Sequence, residues 1–196
     1  MRILLMLILI SGLSISQARA QQAGGGADDL GALMGALGQM MQGASTNSAA
    51  AVVDFRELKA LLPAELPGLK RTSAAGEKSS AMGMTISFAE GRYEAGEGVI
   101  EIKLSDYGGT GFATMMAAGW SMQEMDRETE TGFERTTTIA GNKAKEQYDT
   151  ADQSGATEVL VAGRFLVEVS GSKVTAEAIR AAVEKIDLAK LAALKK

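Results

Sequence analysis

Hydrophobic and polar positions change rhythm several times along this chain, and each rhythm predicts an element. Asp54 followed by Glu57 is a capping pair, and Phe55, Leu58, Leu61 and Leu62 make one helical stripe. Pro63 ends that helix, and Pro67-Gly68 makes a turn. Met82, Met84, Ile86 and Phe88 then alternate with Gly83, Thr85, Ser87 and Ala89. This period of two predicts a strand whose apolar face is the methionine, Ile86 and Phe88 face. Ile100, Ile102 and Leu104 alternate in the same way, and the connection around Gly91 to Gly98 suits a hairpin. Beyond Asp106-Tyr107, Thr110 caps a helix with the stripe Phe112, Met115, Met116, Gly119 and Met122, with Trp120 on its flank.

A strand meander follows. Phe133 to Ile139 and Lys143 to Asp149 flank a Gly141-Asn142 turn, a hairpin signal. Asp152 to Gly155 is another turn, and Glu158 to Ala162 and Phe165 to Ser170 flank Gly163-Arg164. The apolar run through Val159, Leu160, Val161, Phe165, Leu166 and Val167 belongs at the sheet centre. Thr175 caps a last helix through Ile179, Val183 and Ile186, whose register shifts near Asp187 to continue on Leu188, Leu191 and Leu194. Hairpin-length links favour antiparallel pairing, and segregated helices favour α+β over α/β. The expected fold is an α+β domain with one antiparallel sheet of roughly six to eight strands, packed by about two or three helices.

The N-terminal fifty residues read differently. A positive start at Met1-Arg2, an apolar run from Ile3 to Leu13 and Ala18-Arg19-Ala20 follow the order of a secretory signal peptide over residues 1–20. The run is short for a spanning helix, and no Cys follows it to carry a lipid anchor. These features predict a periplasmic or secreted protein with a cleaved leader and no transmembrane span in the mature chain. Residues 21–51 form a flexible Gly/Ala/Met-rich tail, and residues 52–196 a single α+β domain. Within the tail, Leu30, Leu33, Met34, Leu37, Met40 and Met41 recur at helical spacing behind Asp28-Asp29. Gly31, Gly35 and Gly38 each weaken that helix by about 1 kcal/mol. The stripe predicts a conditional helix that docks on a partner, the alternative being a disordered connection.

Composition narrows the chemistry. Two of the 20 basic residues, Arg2 and Arg19, lie in the leader, leaving 18 against 24 acidic ones, a net charge of −6. The charges are interspersed, and no basic block offers itself to phosphates, so nucleic-acid binding is not expected. The chain has no Cys and no His. Disulfides, Cys/His zinc sites, thiol nucleophiles and imidazole bases are therefore excluded.

The element order carries a resemblance. Leu61-Leu62-Pro63 through Pro67-Gly68, the strand ending in Ser87-Phe88-Ala89, and the Ser105-Asp106-Tyr107-Gly108-Gly109 corner resemble exported bacterial domains of unknown function. The order of elements over residues 52–194 is similar to PsbP-like sandwiches. That likeness implies binding and assembly roles and carries over no catalytic residues.

Five motifs compete with plainer readings. Met40-Met41, Met82-x-Met84, Met115-Met116 and Met122-x-x-Met125 have the look of Cu(I) thioether clusters, but methionines also fill cores, as Met82 and Met84 would beside Ile86 and Phe88. Gly108, Gly109, Thr110 and Gly111 make a strand-to-helix corner able to present backbone N–H groups to a ligand, although neither a Walker loop nor a dinucleotide fingerprint is completed. Ser170-Gly171-Ser172-Lys173 fits Ser-x-x-Lys but lacks the downstream partners of that chemistry, so it reads as a turn. Glu124, Asp126, Glu128 and Glu130 share one side of an extended segment and read as a solvated edge rather than a hydrolase pair or a calcium loop. The tail stripe is the fifth. Taken together, these features predict a non-enzymatic exported binding module without cofactor or metal, whose partner is a protein or envelope component. The alternative is a periplasmic carrier of a small ligand or Cu(I) on methionine-lined surfaces, and a carboxylate hydrolase is a third reading.

Overall fold

In the computed structural model, residues 51–81, 84–108, 118–119 and 124–195 are described, all within one unit, Ala44–Lys196. The first element is the helix α1, Phe55–Ala60. Asp54 caps it as its sequence predicts, with Oδ1 accepting the Arg56 N–H at 2.8 Å. Leu58 is fully buried, and the chain leaves the helix through Leu61 toward Pro63. Tyr93 fixes that exit from the sheet side, donating its hydroxyl to the Pro63 carbonyl at 2.7 Å.

Among the described residues nine strands follow: β1 Glu65–Leu66, β2 Leu69–Ala81, β3 Met84–Ala95, β4 Gly98–Asp106, β5 Asp126–Thr129, β6 Gly132–Ile139, β7 Asn142–Asp149, β8 Ser154–Val161 and β9 Phe165–Ser172. They form one sheet in the order β1-β2-β3-β4-β9-β8-β7-β6-β5, every neighbouring pair antiparallel. Two meanders, β1–β4 and β5–β9, thus meet where β4 pairs with β9. The antiparallel, sheet-rich α+β class agrees with the sequence, but nine strands exceed the expected six to eight. The surplus has a physical cause. β2 is built largely of Ser, Ala, Gly and charged residues, which give no apolar alternation to read. β1 has only two residues, and β5 is a fully exposed charged strand at the sheet edge.

β9, carrying half of the apolar run, is the fifth of the nine strands and so lies at the centre. The β6–β7 hairpin turns at Ala140 and Gly141, with φ of 48° and 78°, one residue before the expected pair. Two positive φ values match the right-handed strand twist, and glycine supplies one of them without a Cβ penalty. β3 does not break at Gly91. It runs on to Ala95, and the hairpin closes at Gly96-Glu97, because Tyr93 and Gly91 continue its pairing with Ile100 and Ile102.

The first face of the sheet holds the core. Ile100, Ile102, Leu104, Val159, Val161, Phe165, Val167 and Val169 are fully buried there, with Leu58 of α1. Thr175 caps helix α2, Ala176–Glu184, through Oγ1 to the Ala178 N–H at 3.2 Å. Asp187 then caps α3, Leu188–Ala193, at the expected register shift. Ile179, Val183, Leu188 and Leu191 join the same core. The helix can settle onto β9 because Gly171 has no side chain: a β-carbon there would lie 2.5 Å from Val174 Cγ2 and 2.7 Å from Ile179 Cγ1.

The buried face of β3 is the reverse of the expected one. Ser87, Ala89, Gly91 and Tyr93 are buried, while Ile86 and Phe88 are half-buried on the other side. Alternation defines two faces, but only pairing decides which meets the core. The register Ala89↔Leu104 and Tyr93↔Ile100 puts the small residues and Tyr93 beside the apolar face of β4. No described helix is long and apolar enough to cross a membrane. The segment read as a helix after Thr110 lies outside the described residues, except that Ala118 and Gly119 are helical.

Candidate functional site

The second face of the sheet is composed in cross-strand rows. Nearest the Asp106 end, Phe88, Ser105, Leu166 and Leu160 follow one another across β3, β4, β9 and β8. One step along the strands comes a charged row: Glu90, Lys103, Glu168, Glu158 and Lys145, from β3 to β7. Alternation forces this arrangement, since Leu104, Val167 and Val159 point into the core and their neighbours must face away.

Two glutamates stand side by side in the middle of that row. Glu158 and Glu168 are register partners on β8 and β9, and both are half-buried. Neither forms an ion pair among the described residues. Lys103, beside Glu168, holds its Nζ 4.9 Å from the Phe88 ring centroid. Burial, followed by the charge of Glu168, pushes the Glu158 carboxyl above the ordinary glutamate range, and Lys145 only partly offsets this. Tyr107 lies in the same field: burial, then the charges of Glu168 and Glu158, raise its hydroxyl, which stays protonated as a donor at neutral pH.

A concavity of about 410 Å³ opens over this row, with Glu90, Glu101, Lys103, Glu158, Glu168 and Ser170 among its lining. Arg92 on its wall is engaged by Glu94 and Glu101, which hold its guanidinium above its usual value. The free carboxylates thus outnumber the free cations in the hollow. A second groove, about 250 Å³, runs between β6–β7 and α2. There the buried Glu146 holds Arg135 at 2.7 Å, with Arg180 at 3.6 Å, beside the stacked rings of Phe133 and Tyr148. Among the described residues no three acidic side chains converge to hold a metal ion.

The residues singled out from the sequence fall elsewhere. Gly108 has φ of 59°, and its N–H donates to Asp106 Oδ1 at 2.8 Å, so that donor is already used within the corner. Gly109, Thr110 and Gly111 lie outside the described residues, as do Leu30, Leu33, Met34, Leu37, Met40 and Met41 of the tail. So do Met82, Met115, Met116 and Met122; the Met125 carbonyl accepts the Thr136 N–H, and the Met125 N–H donates to the Thr136 hydroxyl. Ser170 is exposed on the second face, whereas Lys173 sits in the turn before α2 with φ of 55° and reaches the Asp152 carbonyl. Asp126 and Glu128 lie on the exposed edge strand β5, in keeping with a solvated edge.

Sequence reasoning missed the glutamate pair and the buried Asp106–Arg164 pair. Glu158 and Glu168 are ten positions apart, and only the length of the β8–β9 hairpin sets them opposite each other. No family model, curated protein or solved structure matches this chain.

Proposed function

We propose that this chain is an exported, non-enzymatic binding module, and that the second sheet face is its recognition surface. The observation that carries this reading is the pair Glu158–Glu168, unmatched by an ion pair among the described residues and facing a concavity large enough for a few side chains of a partner. Carboxylates already stripped of part of their water bind a cationic group more strongly than exposed ones, because the desolvation is partly met on folding. A protein or envelope component presenting ammonium or guanidinium groups fits that surface. The leader-like residues 1–20 support an encounter outside the cytoplasm.

A photo-crosslinking residue at exposed Lys103 or Ser170, compared with one at exposed Glu184 on α2, tests this in intact envelopes. A discrete adduct formed from the second face and not from Glu184 is the expected result. Adducts from Glu184 alone, or from no position, reject the surface.

A second reading has a specific observation in its favour. A raised carboxyl beside a charged one is also the arrangement of an acid and its partner in glycoside hydrolysis. Turnover of a glycan or ester panel, abolished in both Glu158→Gln and Glu168→Gln, would establish that reading instead.

A further inference from the structure

Glu158 and Glu168 repel each other by construction. Like charges directly opposite on neighbouring strands destabilise a sheet, and partial burial strengthens the repulsion. The surroundings relieve it little. Along the row, Lys145 of β7 flanks Glu158 and Lys103 of β4 flanks Glu168, and among the described residues neither glutamate has an ion pair. Glu90 of β3 lies beyond Lys103. In the next row Glu101 and Arg92 are engaged with each other, and Glu134 of β6 shares a separate small recess with Glu158, Lys145 and Glu146. Tyr107 adds a neutral hydroxyl, and residues 109–123 carry no ionisable side chain, so the segment after the corner brings no counter-charge.

We propose that Glu158 is a proton-operated element of this face, presenting two adjacent negative charges with Glu168 at neutral pH and one after mild acidification. The step is the uptake of one solvent proton by the Glu158 carboxylate. The resulting O–H can donate to the Glu168 carboxylate, replacing repulsion between β8 and β9 by a charge-assisted hydrogen bond. The regulation rests on the recognition reading above: a cationic partner is held at neutral pH and released in acid. The directions agree with the upward push on Glu158 from burial and from Glu168.

Carboxyl-carbon NMR of the full chain, titrated from pH 8 to pH 3, reads the proton directly. Glu158 should titrate above the ordinary glutamate range, and Glu168→Gln should bring it down. Titration within the ordinary range, or a Glu158 midpoint unmoved by Glu168→Gln, overturns the proton element and leaves second-face docking to its own cross-linking test. The second readout is cross-link yield from Ser170, expected to fall several-fold between neutral and mildly acid pH in the wild type and to stay level in Glu158→Gln. A raised Glu158 titration that Glu168→Gln brings down, together with a level wild-type yield, overturns the regulation alone.

Discussion

Arg164 donates through Nε and Nη2 to the two oxygens of Asp106, each at 2.8 Å, with the aspartate fully buried and the arginine side chain 3% exposed. The same carboxylate accepts the N–H of Val53 at 2.7 Å and of Gly108 at 2.8 Å, and Arg164 Nη2 also reaches the Ala51 carbonyl at 2.9 Å. One ion pair therefore ties the approach to α1, the end of β4, the corner after it and the β8–β9 hairpin. The hydrogen bonds to Asp106 hold the guanidinium above its usual value.

Removing one partner strands the other charge in the interior. Asp106→Asn is expected to cost about 3–5 kcal/mol in urea unfolding, as for other broken buried pairs. The double variant Asp106→Leu/Arg164→Met should be less destabilised than Asp106→Asn, because no uncompensated charge is left. Equal losses in the two variants would show that the backbone contacts of Asp106, rather than its charge, dominate.

The Glu158 carboxyl is raised in the folded protein, so the folded state binds more protons than the unfolded one between the two titration midpoints. Stability therefore falls as pH rises through that window, and the full penalty is present at neutral pH. Glu158→Gln should raise the melting temperature at pH 7 and flatten its dependence on pH just above the ordinary glutamate range. Glu177 acts in the opposite sense: its own backbone N–H and the Thr175 hydroxyl lower it, so its contribution is present above the ordinary glutamate range and is lost in stronger acid.

The assignment of faces on β3 is open to a direct comparison. Phe165 is fully buried and Phe88 half-buried, on opposite faces. Phe165→Ala should cost about 3–5 kcal/mol, the range for a buried aromatic, and Phe88→Ala clearly less. Chemical denaturation of both variants decides it, and a larger loss for Phe88 would restore the face expected from alternation.

A methyl group at Gly171 would collide with Val174 and Ile179. Gly171→Ala should cost about 1–3 kcal/mol by overpacking. A penalty for Gly171→Ala that shrinks in the Ile179→Ala background, where the clashing γ and δ carbons are gone, would locate the strain at the β9–α2 contact by thermal unfolding.

Tyr93 is fully buried, and its hydroxyl bonds the Pro63 carbonyl. Tyr93→Phe should cost about 1 kcal/mol, one hydrogen bond, since the Pro63 carbonyl keeps its second donor, Arg71 Nη1, at 3.0 Å. Burial also raises the Tyr93 hydroxyl, so its ultraviolet ionisation should appear at higher pH than that of free tyrosine.

Local signals were the legible part of this fold. Asp54 and Thr175 announce their helices because a cap is a contact between a side chain and a backbone two or three residues on, whereas Asp187 was legible only as a shift of register. The hairpins around Gly96, Gly141 and Gly163 were readable for the same reason. β2 was not, because its thirteen residues are held by pairing with β3 rather than by any alternation of their own.

From its residues alone, the chain specifies an antiparallel α+β domain, the positions of most of its caps and turns, and the absence of thiol and imidazole chemistry. Those properties depend on neighbours within a few positions or on composition. Tertiary pairing decided the rest: β4 against β9, Ser87 and Ala89 inward rather than Ile86 and Phe88, Arg164 onto Asp106 across 58 positions, and Glu158 opposite Glu168. Strand register is a collective outcome of the whole sheet, and a slip of one residue would turn each strand over, so no local pattern could settle which side chains meet.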